Sequence, residues 1–440
     1  MAPASIAAPA LPDYSANFGR FCQAVQTDLN LADSALSTSN IEDFAQKIHS
    51  TMGWQLRHND IIQRQSMVRI GLQFDIENDL KNDQTTNLSI DINLVVGGGA
   101  FKLLHGIIMD SQRPLFFTAL SGACAVIETR HITYDRQLRA SELLINRIGQ
   151  PSLTRPLNPA PLVRPEPHAA ATDSVIVGHI DSGIDYHRPD FAEHLIYRDK
   201  STFLGRDFWD DDQRPYDNDS ARSAFFPQSH GSYVLDILHQ SGAHFRVLPV
   251  RYPRPDMRLM GAAVEWLAEH GATLIMVPLG SRSETDWTSF FAAAKKHPEL
   301  LFIISAGNNG FDLSQNPIYP AVNSLTNAIT VTSTFADGTL PKDANYGAAV
   351  AIGTPAEKLL AAGSDSYQRQ VSGSSFAVPR LAAYALCLAA ATPHITGKNT
   401  SHGATWANAI KAALTSSAQK PVGYDLFLPT SVIDRQCATQ

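Results

Sequence analysis

Four residues in the C-terminal part of this chain could together break an acyl bond. Ser375 lies in SGSSFAVPRLAAYALCL, at the front of a long Ala/Leu-rich segment. His230 lies in SHGSYVLDIL, beside Gly231 and at the start of an apolar helical pattern. Asp181 directly follows the apolar run SVIVGHI, and Asn308 lies in IISAGNNG, just past the run LLFIISA. A serine hydroxyl is a weak nucleophile until a base removes its proton. Histidine suits that task because its ordinary pKa is close to neutral pH. A carboxylate on the far ring nitrogen would fix the tautomer and stabilise the imidazolium. Attack on a carbonyl makes an oxyanion, which an Asn side chain and the nucleophile's own backbone N–H could stabilise. Each residue alone has a plainer explanation. An aspartate after a strand is often a turn residue, one histidine among 15 means little, and Ser-Ser before a helix is commonly an N-cap. Jointly, four short motifs with glycines at the tight turns point to chemistry.

Such residues need elements to bring them together. From Ser174 onward, short Val/Ile/Leu runs alternate with helical patterns. The spacing predicts strands over 174–180, 244–250, 272–279, 300–306 and 328–334, and helices over 260–270 and 289–296. Apolar strands separated by helices imply a parallel sheet covered on both faces. In such sheets, sites gather outside the carboxyl ends of the strands, which is where Asp181 and Asn308 fall. Gly183 would let the chain turn sharply after Asp181. Ser375 would open a helix with Pro379 near its first turn, where proline is tolerated, and would gain from the positive potential there.

The four motifs, in this order, resemble those of the subtilases, the subtilisin-like serine peptidases. The likeness runs from about Ser174 to Ala418. The family's V-x-x-I-D-S/T-G-I is similar to VGHIDSGID at 177–185, so the resemblance makes Asp181 the orienting acid. H-G-T-H-V is matched by HGSYV at 230–234, which makes His230 the base; Ser232 and Tyr233 stand where the family has threonine and a second histidine. G-T-S-M-A-x-P is matched by GSSFAVP at 373–379, which makes Ser375 the nucleophile, and AGN at 306–308 makes Asn308 the oxyanion donor. ALTSSA at 413–418 resembles the family's closing helix. The order Asp, His, Ser is that of subtilisin and not of chymotrypsin-like enzymes or α/β-hydrolases. The implied fold is α/β: a subtilisin-like parallel sheet with helices on both faces, preceded by a smaller α+β N-terminal domain.

The resemblance also marks departures. The family's substrate-binding S-L-G strand is Pro278-Leu279-Gly280 here. Proline removes one backbone donor, but an edge strand can still pair with an extended peptide through its other groups. Ile318 precedes Tyr319-Pro320-Ala321, the segment near the primary specificity pocket. A small residue there would leave a deep pocket, so a shallow one preferring small or medium apolar side chains is expected. Only 20 residues separate His230 from Val250, so the calcium-binding loop that secreted subtilisins insert there is expected to be absent. The acidic run Asp207, Asp210, Asp211, Asp212, Asp217 and Asp219 could hold Ca²⁺ through oxygen ligands, although a solvated loop is the preferred expectation. No metal or other cofactor is assigned. Asp185 and Asp190 are expected in turns.

The chain has 440 residues, 44% hydrophobic and 18% charged, enough apolar matter for large cores and too little charge for disorder. Its formal net charge of −7 disfavours a general nucleic-acid binder, whose footprint is basic. No run approaches the roughly 18 consecutive apolar residues of a membrane span. The opening MAPASIAAPALPDYS lacks Lys, Arg and a continuous apolar stretch, so no secretory signal is expected, though leaderless export escapes this argument. Cys22, Cys124, Cys387 and Cys437 form no C-x-x-C pair. Free thiols in a reducing cytoplasm are the expectation.

Six prolines between 150 and 173 exclude a helix there and predict an extended linker. It divides a domain at 1–149 from a peptidase-like domain at 174–440. The first domain reads α+β. Ser39 and Glu42 form a capping box ahead of Phe44, Ile48 and Met52 on one helical face. Val68 to Phe74 and Leu88 to Leu94 alternate as strands, and Gly97 to Gly99 predict a turn rather than a phosphate loop. No chemistry is visible in it. It could be a removable propeptide or a permanent docking domain. The function expected is that of a serine endopeptidase acting on proteins or peptides through an acyl-enzyme at Ser375. The rivals are a catalytically silent peptide-binding protein and a transpeptidase or cyclase.

Overall fold

The computed structural model describes residues 14–29, 37–64, 67–76, 88–98, 100–111, 113–163, 174–364, 368–391, 403–416 and 426–427. It divides into two compact units, Met1–Asn158 with Arg222–Phe226, and Pro159–Ala221 with Pro227–Gln440.

The first unit opens with helices α1 (Tyr14–Asp28) and α2 (Thr38–Met52). Eight antiparallel strands follow in sequence order: β1 (Trp54–Arg64), β2 (Met67–Ile76), β3 (Leu88–Gly97), β4 (Ala100–Asp110), β5 (Arg113–Ser121), β6 (Val126–Tyr134), β7 (Ala140–Arg147) and β8 (Leu153–Pro156). The alternation along β3 buries every second residue, as period-two side chains on a half-covered sheet must. Phe18, Phe21 and Val25 of α1 and Ile41, Phe44 and Ile48 of α2 join Ile70, Leu72, Phe74, Ile90 and Ile92 in one core. The cap of α2 is Ser37, whose hydroxyl accepts the Asn40 N–H at 3.3 Å. Ser39 therefore falls inside the first turn, and the capping box does not form as expected. Gly98 turns the chain between β3 and β4 with φ 60°; Gly99 lies outside the described residues, as do 77–87.

Two further expectations change. The first unit ends at Asn158 rather than Gly149, because Leu153–Pro156 pairs with β7. Proline is tolerated there because β8 is an edge strand. Pro159 and Ala160 then run as part of the second unit, accepting hydrogen bonds from the Tyr186 hydroxyl at 2.5 Å and from His187 Nε2 at 2.8 Å. Residues 164–173 of the expected linker lie outside the described residues. Cys22, Cys124 and Cys387 are not the free thiols expected, and Cys437 lies outside the described residues. Cys22 on α1 is bonded to Cys124 after β5, 102 positions away, and Cys387 is also disulfide-bonded. These cysteines therefore give no reason to expect a reducing compartment.

The second unit contains β9 (Val175–Asp181), α3 (Pro189–Ala192), β10 (Arg206–Asp207), α4 (Gly231–His239), β11 (Phe245–Arg251), α5 (Met260–Glu269), β12 (Leu274–Val277), α6 (Thr288–Lys296), β13 (Leu301–Ser305), β14 (Ala328–Thr334) and β15 (Ile352–Pro355). They are followed by β16 (Leu359–Ala362), β17 (Gln368–Val371), α7 (Ser374–Ala391), α8 (Gly403–Ser416) and β18 (Leu426–Phe427). Eight strands form one parallel sheet in the order β10-β11-β9-β12-β13-β14-β15-β18. Every residue of β12, β13 and β14 is buried, because both faces are covered. Leu274, Met276, Leu301 and Ile303 face α4, α7 and α8 in one core. Ile275, Val277, Phe302 and Ile304 face α5 and α6 in the other. The strands and helices expected in this region all form, with ends shifted by at most two residues at most positions.

The apolar helix α7 is long enough to cross a membrane by length and composition, but 78% of that window is buried inside the fold. It is a core helix. Pro379 is its sixth residue, past the first turn, so the carbonyl of Ser375 loses the donor a regular helix would supply. No inserted loop lies between α4 and β11, as the short spacing required.

Candidate active site

Asp181 is the last residue of β9 and is buried. Gly183, at φ 99°, turns the chain behind it, and a Cβ there would meet the Pro215 carbonyl oxygen at 2.5 Å. His230 is the residue before α4. Its Nδ1 lies 2.8 and 2.9 Å from the two Asp181 carboxylate oxygens. Burial alone would favour neutral forms of both. The attraction between them outweighs it, holding Asp181 below the usual carboxylate range and His230 above the usual imidazole value.

Four further groups fix this pair: Asp217 from the acidic run, Ser232 at the family's threonine position, and Ser182 and His179, for which the sequence suggested no role. The buried Asp217 carboxylate accepts the Ser182 hydroxyl at 2.6 Å, the His230 N–H at 3.2 Å and the Ser232 N–H at 2.7 Å. The Ser182 hydroxyl in turn accepts the Gly231 N–H at 2.9 Å. Asp217 and Ser182 thus cap α4, and an anion at a helix N-terminus is favourable. Burial nevertheless pushes Asp217 up to about 6. Ring nitrogen Nε2 of the fully buried His179 lies 3.0 Å from the Gly231 carbonyl and donates to it. Asp217, Ser182, Ser232 and His179 together hold the backbone from which His230 projects. The sequence signal available for Asp217 was an acidic residue with too few neighbours to stand out from an acidic run.

Ser375 is the second residue of α7, so its N–H belongs to the first turn, where helical donors lack intrahelical partners. Its hydroxyl donates to the Pro278 carbonyl at 3.0 Å. The His230 ring lies 5.8 Å, centroid to centroid, from the ring of the next residue, Phe376. The fold thus brings both motifs to one rim, and among the described residues no hydrogen bond joins His230 to the Ser375 hydroxyl. Asn308 follows β13 and is exposed. Its Oδ1 accepts the N–H and hydroxyl of Ser374 at 2.8 and 2.9 Å. That contact leaves Nδ2 as the group to present outward. A Cβ on Gly373, whose φ is 119°, would sit 2.9 Å from Nδ2, so only glycine fits beside it.

Leu279 and Gly280 follow β12, half-buried and exposed respectively. Ile318 is buried, and a Cβ on Gly280 would meet its side chain at 3.1 Å. Ser281 and Tyr319 exchange two backbone hydrogen bonds of 2.8 Å just behind. The three residues named from the sequence therefore share one corner, next to the Pro278 carbonyl that holds Ser375.

The acidic run is not the solvated loop expected, since Asp207 and Asp217 are buried and the run is paired with arginines and backbone N–H groups. Asp207 and Asp210 are paired with Arg251 at 2.9 and 2.5 Å, Asp211 with Arg206 and Asp212 with Arg214. Asp219 accepts the Ala221 N–H at 2.9 Å, and Asp217 caps α4. Asp185 accepts the His187 N–H at 3.0 Å within its turn. Asp190 lies in the short helix α3 rather than in the turn expected, and is paired with Arg188.

A family model described as the subtilase family matches residues 172–431. Among curated proteins, the chain is 25% identical over 224 residues to halolysin of Haloferax mediterranei, across 47% of this chain and 40% of that protein. It is 26% identical over 224 residues to the thermophilic serine proteinase of Bacillus sp. strain AK1, across 48% of this chain and 51% of that protein. The chain spans about half the length of the curated relatives it matches. Among solved structures it is similar to a cold-adapted subtilisin-like serine proteinase, with 17% identity and TM-score 0.45, covering 62% of this chain and 97% of that one. It is also similar to a lanthipeptide protease, with 18% identity and TM-score 0.48, covering 59% and 87%. The matched segment contains all four motifs and exceeds half of the chain: the protein belongs to the subtilase family.

Proposed function

We propose that this subtilase is a serine endopeptidase that cleaves protein or peptide substrates through an acyl-enzyme on Ser375. The observation that supports this reading best is the buried Asp181 carboxylate on His230 Nδ1, at the same rim as a helix-start serine. His230 takes the Ser375 proton as base and returns it to the leaving amine. The Ser375 N–H and Asn308 Nδ2 stabilise the oxyanion. An intact set of this kind favours an enzyme over a silent peptide binder, and among the described residues nothing specifically excludes water as a cyclase would need.

The test is a fluorophosphonate probe followed by intact mass spectrometry of the labelled chain. A single adduct on Ser375 is expected, and a folded protein that takes no label would reject the reading. The same spectrum decides the fate of the first unit. We propose that it is retained, because it has a core and a disulfide of its own and so need not depend on another domain to fold. A labelled species that begins near the 159–173 segment would make it a propeptide. Bonded cysteines fit an oxidising compartment, and alkylation without reductant should leave Cys22 and Cys124 unmodified.

Three further outcomes follow from the geometry. Because Asp181 holds His230 above its ordinary value, the acid limb of kcat/KM should have its midpoint above 6.5. Protonated His230 cannot act as base, so activity is lost as pH falls through that point. A midpoint near 5.5 would contradict the pairing. Asn308→Ala should lower kcat by about 100- to 1,000-fold with little change in KM. A purely structural role would instead lower the melting temperature without that kinetic split. Ile318 closes the corner beside Gly280, so peptide-library profiling should show small or medium apolar side chains next to the cut. Ile318→Ala should shift the preference toward larger ones by about tenfold in kcat/KM, the scale of a few methylenes in an apolar pocket. A wild-type preference for Arg, Lys or Trp would refute the pocket assignment.

A further inference from the structure

The far end of α4, away from His230, carries a second cluster of side chains with coordination chemistry. Glu193 and His194 follow α3, and His239 is the last residue of α4. His194 Nε2 lies 2.9 Å from His239 Nδ1, and Glu193 Oε1 lies 3.9 Å from each of those nitrogens. A point equidistant from the three atoms is about 2.1 Å from each, inside the range of about 2.0–2.2 Å for zinc bonds to imidazole and carboxylate. Among the described residues, no other group of three His, Cys, Asp or Glu side chains is close enough to hold a metal in this way.

His194 is already set for the task. Its Nδ1 faces the Phe245 carbonyl at 3.3 Å. A carbonyl only accepts, so Nδ1 carries the proton and Nε2 presents its lone pair to the cluster. Its ring lies stacked on Phe245 at 4.1 Å and 7°, and its carbonyl accepts the Val247 N–H at 2.8 Å. A backbone acceptor on the far nitrogen is how metal-bound imidazoles are oriented. His239 sits in the last turn of α4, where the helix end attracts cations. Glu193 is half exposed, which gives an entry path, an adjustable carboxylate and room for water.

We propose that Glu193, His194 and His239 bind a divalent transition metal, with zinc the first choice for this nitrogen-rich ligand set. A water completes the coordination. In the metal-free protein one proton on His239 Nδ1 bridges the two rings. On binding, that proton moves to His239 Nε2 through solvent, and both lone pairs face the ion. The metal fastens the end of α4 to the segment after α3 and the start of β11. That place lies at the opposite end of the sheet strands from Asp181, since Phe245 pairs with Val175 while Arg251 pairs with Asp181. The site is independent of the peptidase reading.

The test uses the full chain carrying Ser375→Ala, stripped with chelator and titrated with zinc sulfate by calorimetry and thermal melting. One zinc per chain and a raised melting temperature are expected. His194→Gln and His239→Gln should each weaken binding by about 30-fold or more, and Glu193→Gln by about tenfold. Glu193 is exposed, so its variant should fold even if a histidine variant does not. Zinc affinity should persist in His230→Gln. Absence of binding at 100 micromolar zinc by folded protein, or full affinity in both Glu193→Gln and His239→Gln, would overturn the proposal and leave a hydrogen-bonded histidine pair.

Discussion

Ser375→Ala is expected to lower kcat by about a million-fold, a magnitude carried over from subtilisin, the family's type enzyme. His230→Ala should cost about as much, and the double variant no more, because the two groups act as one unit. The structure adds a physical reason for expecting the loss in kcat rather than in KM. The Ser375 hydroxyl has one proton, and in the free protein it is given to the Pro278 carbonyl at 3.0 Å. That carbonyl stands at the head of the Leu279–Gly280 segment on which an extended peptide would lie. A substrate N–H docked on Pro278 would compete for the same oxygen and release the hydroxyl toward His230. Removing the hydroxyl leaves the docking oxygen free, so peptide affinity should hold or improve slightly while turnover vanishes. Single-turnover kinetics and peptide binding on Ser375→Ala would measure both. Residual turnover above about one thousandth of wild type would mean that another group makes the covalent bond.

The residues that carry this prediction were legible because each acts from a short motif at a strand or helix end. A parallel strand buried on both faces reads as an unbroken apolar run, so β9 and β13 announce themselves, and with them the carboxyl ends where Asp181 and Asn308 stand. Other features have no such local trace. Asp217 reaches His230 across a loop of 13 positions and Ser182 across 35, so its burial is decided by tertiary packing. Cys22 and Cys124 meet only because α1 lies against the sheet, 102 residues before the second cysteine. The pairing of Leu195 with Val247 sets Glu193 and His194 beside β11, the strand that follows α4 and its His239, a contact that no periodicity encodes. The shift from Ser39 to Ser37 at the start of α2 shows the same limit at short range. Two serines in one turn compete for the cap, and the packing of Ile41, Phe44 and Ile48 on the sheet chooses the helix phase.

Asp181→Asn should lower kcat at neutral pH by about 10,000-fold, the cost of the wrong imidazole tautomer in a serine triad. The local hydrogen bonds favour that outcome. Asp181 Oδ1 accepts the Ser182 N–H at 2.6 Å, and a backbone N–H can only donate. An asparagine therefore keeps its oxygen on that side and puts its NH₂ in the Oδ2 position, 2.9 Å from His230 Nδ1. The remaining oxygen also lies 2.8 Å from Nδ1 but is shared with the Ser182 N–H, so the NH₂ competes for Nδ1. Where it is met, Nδ1 is unprotonated and the ring proton sits on Nε2, where the base must be empty to take the Ser375 proton. The substitution conserves shape and burial, so the melting temperature should change far less than the rate. It also removes the charge that outweighs burial at His230. The histidine pKa should then fall, and the acid limb of the residual kcat/KM profile should move to lower pH. Loss of rate with an unmoved limb would place Asp181 in a structural role, and loss of less than about tenfold would remove it from the triad altogether.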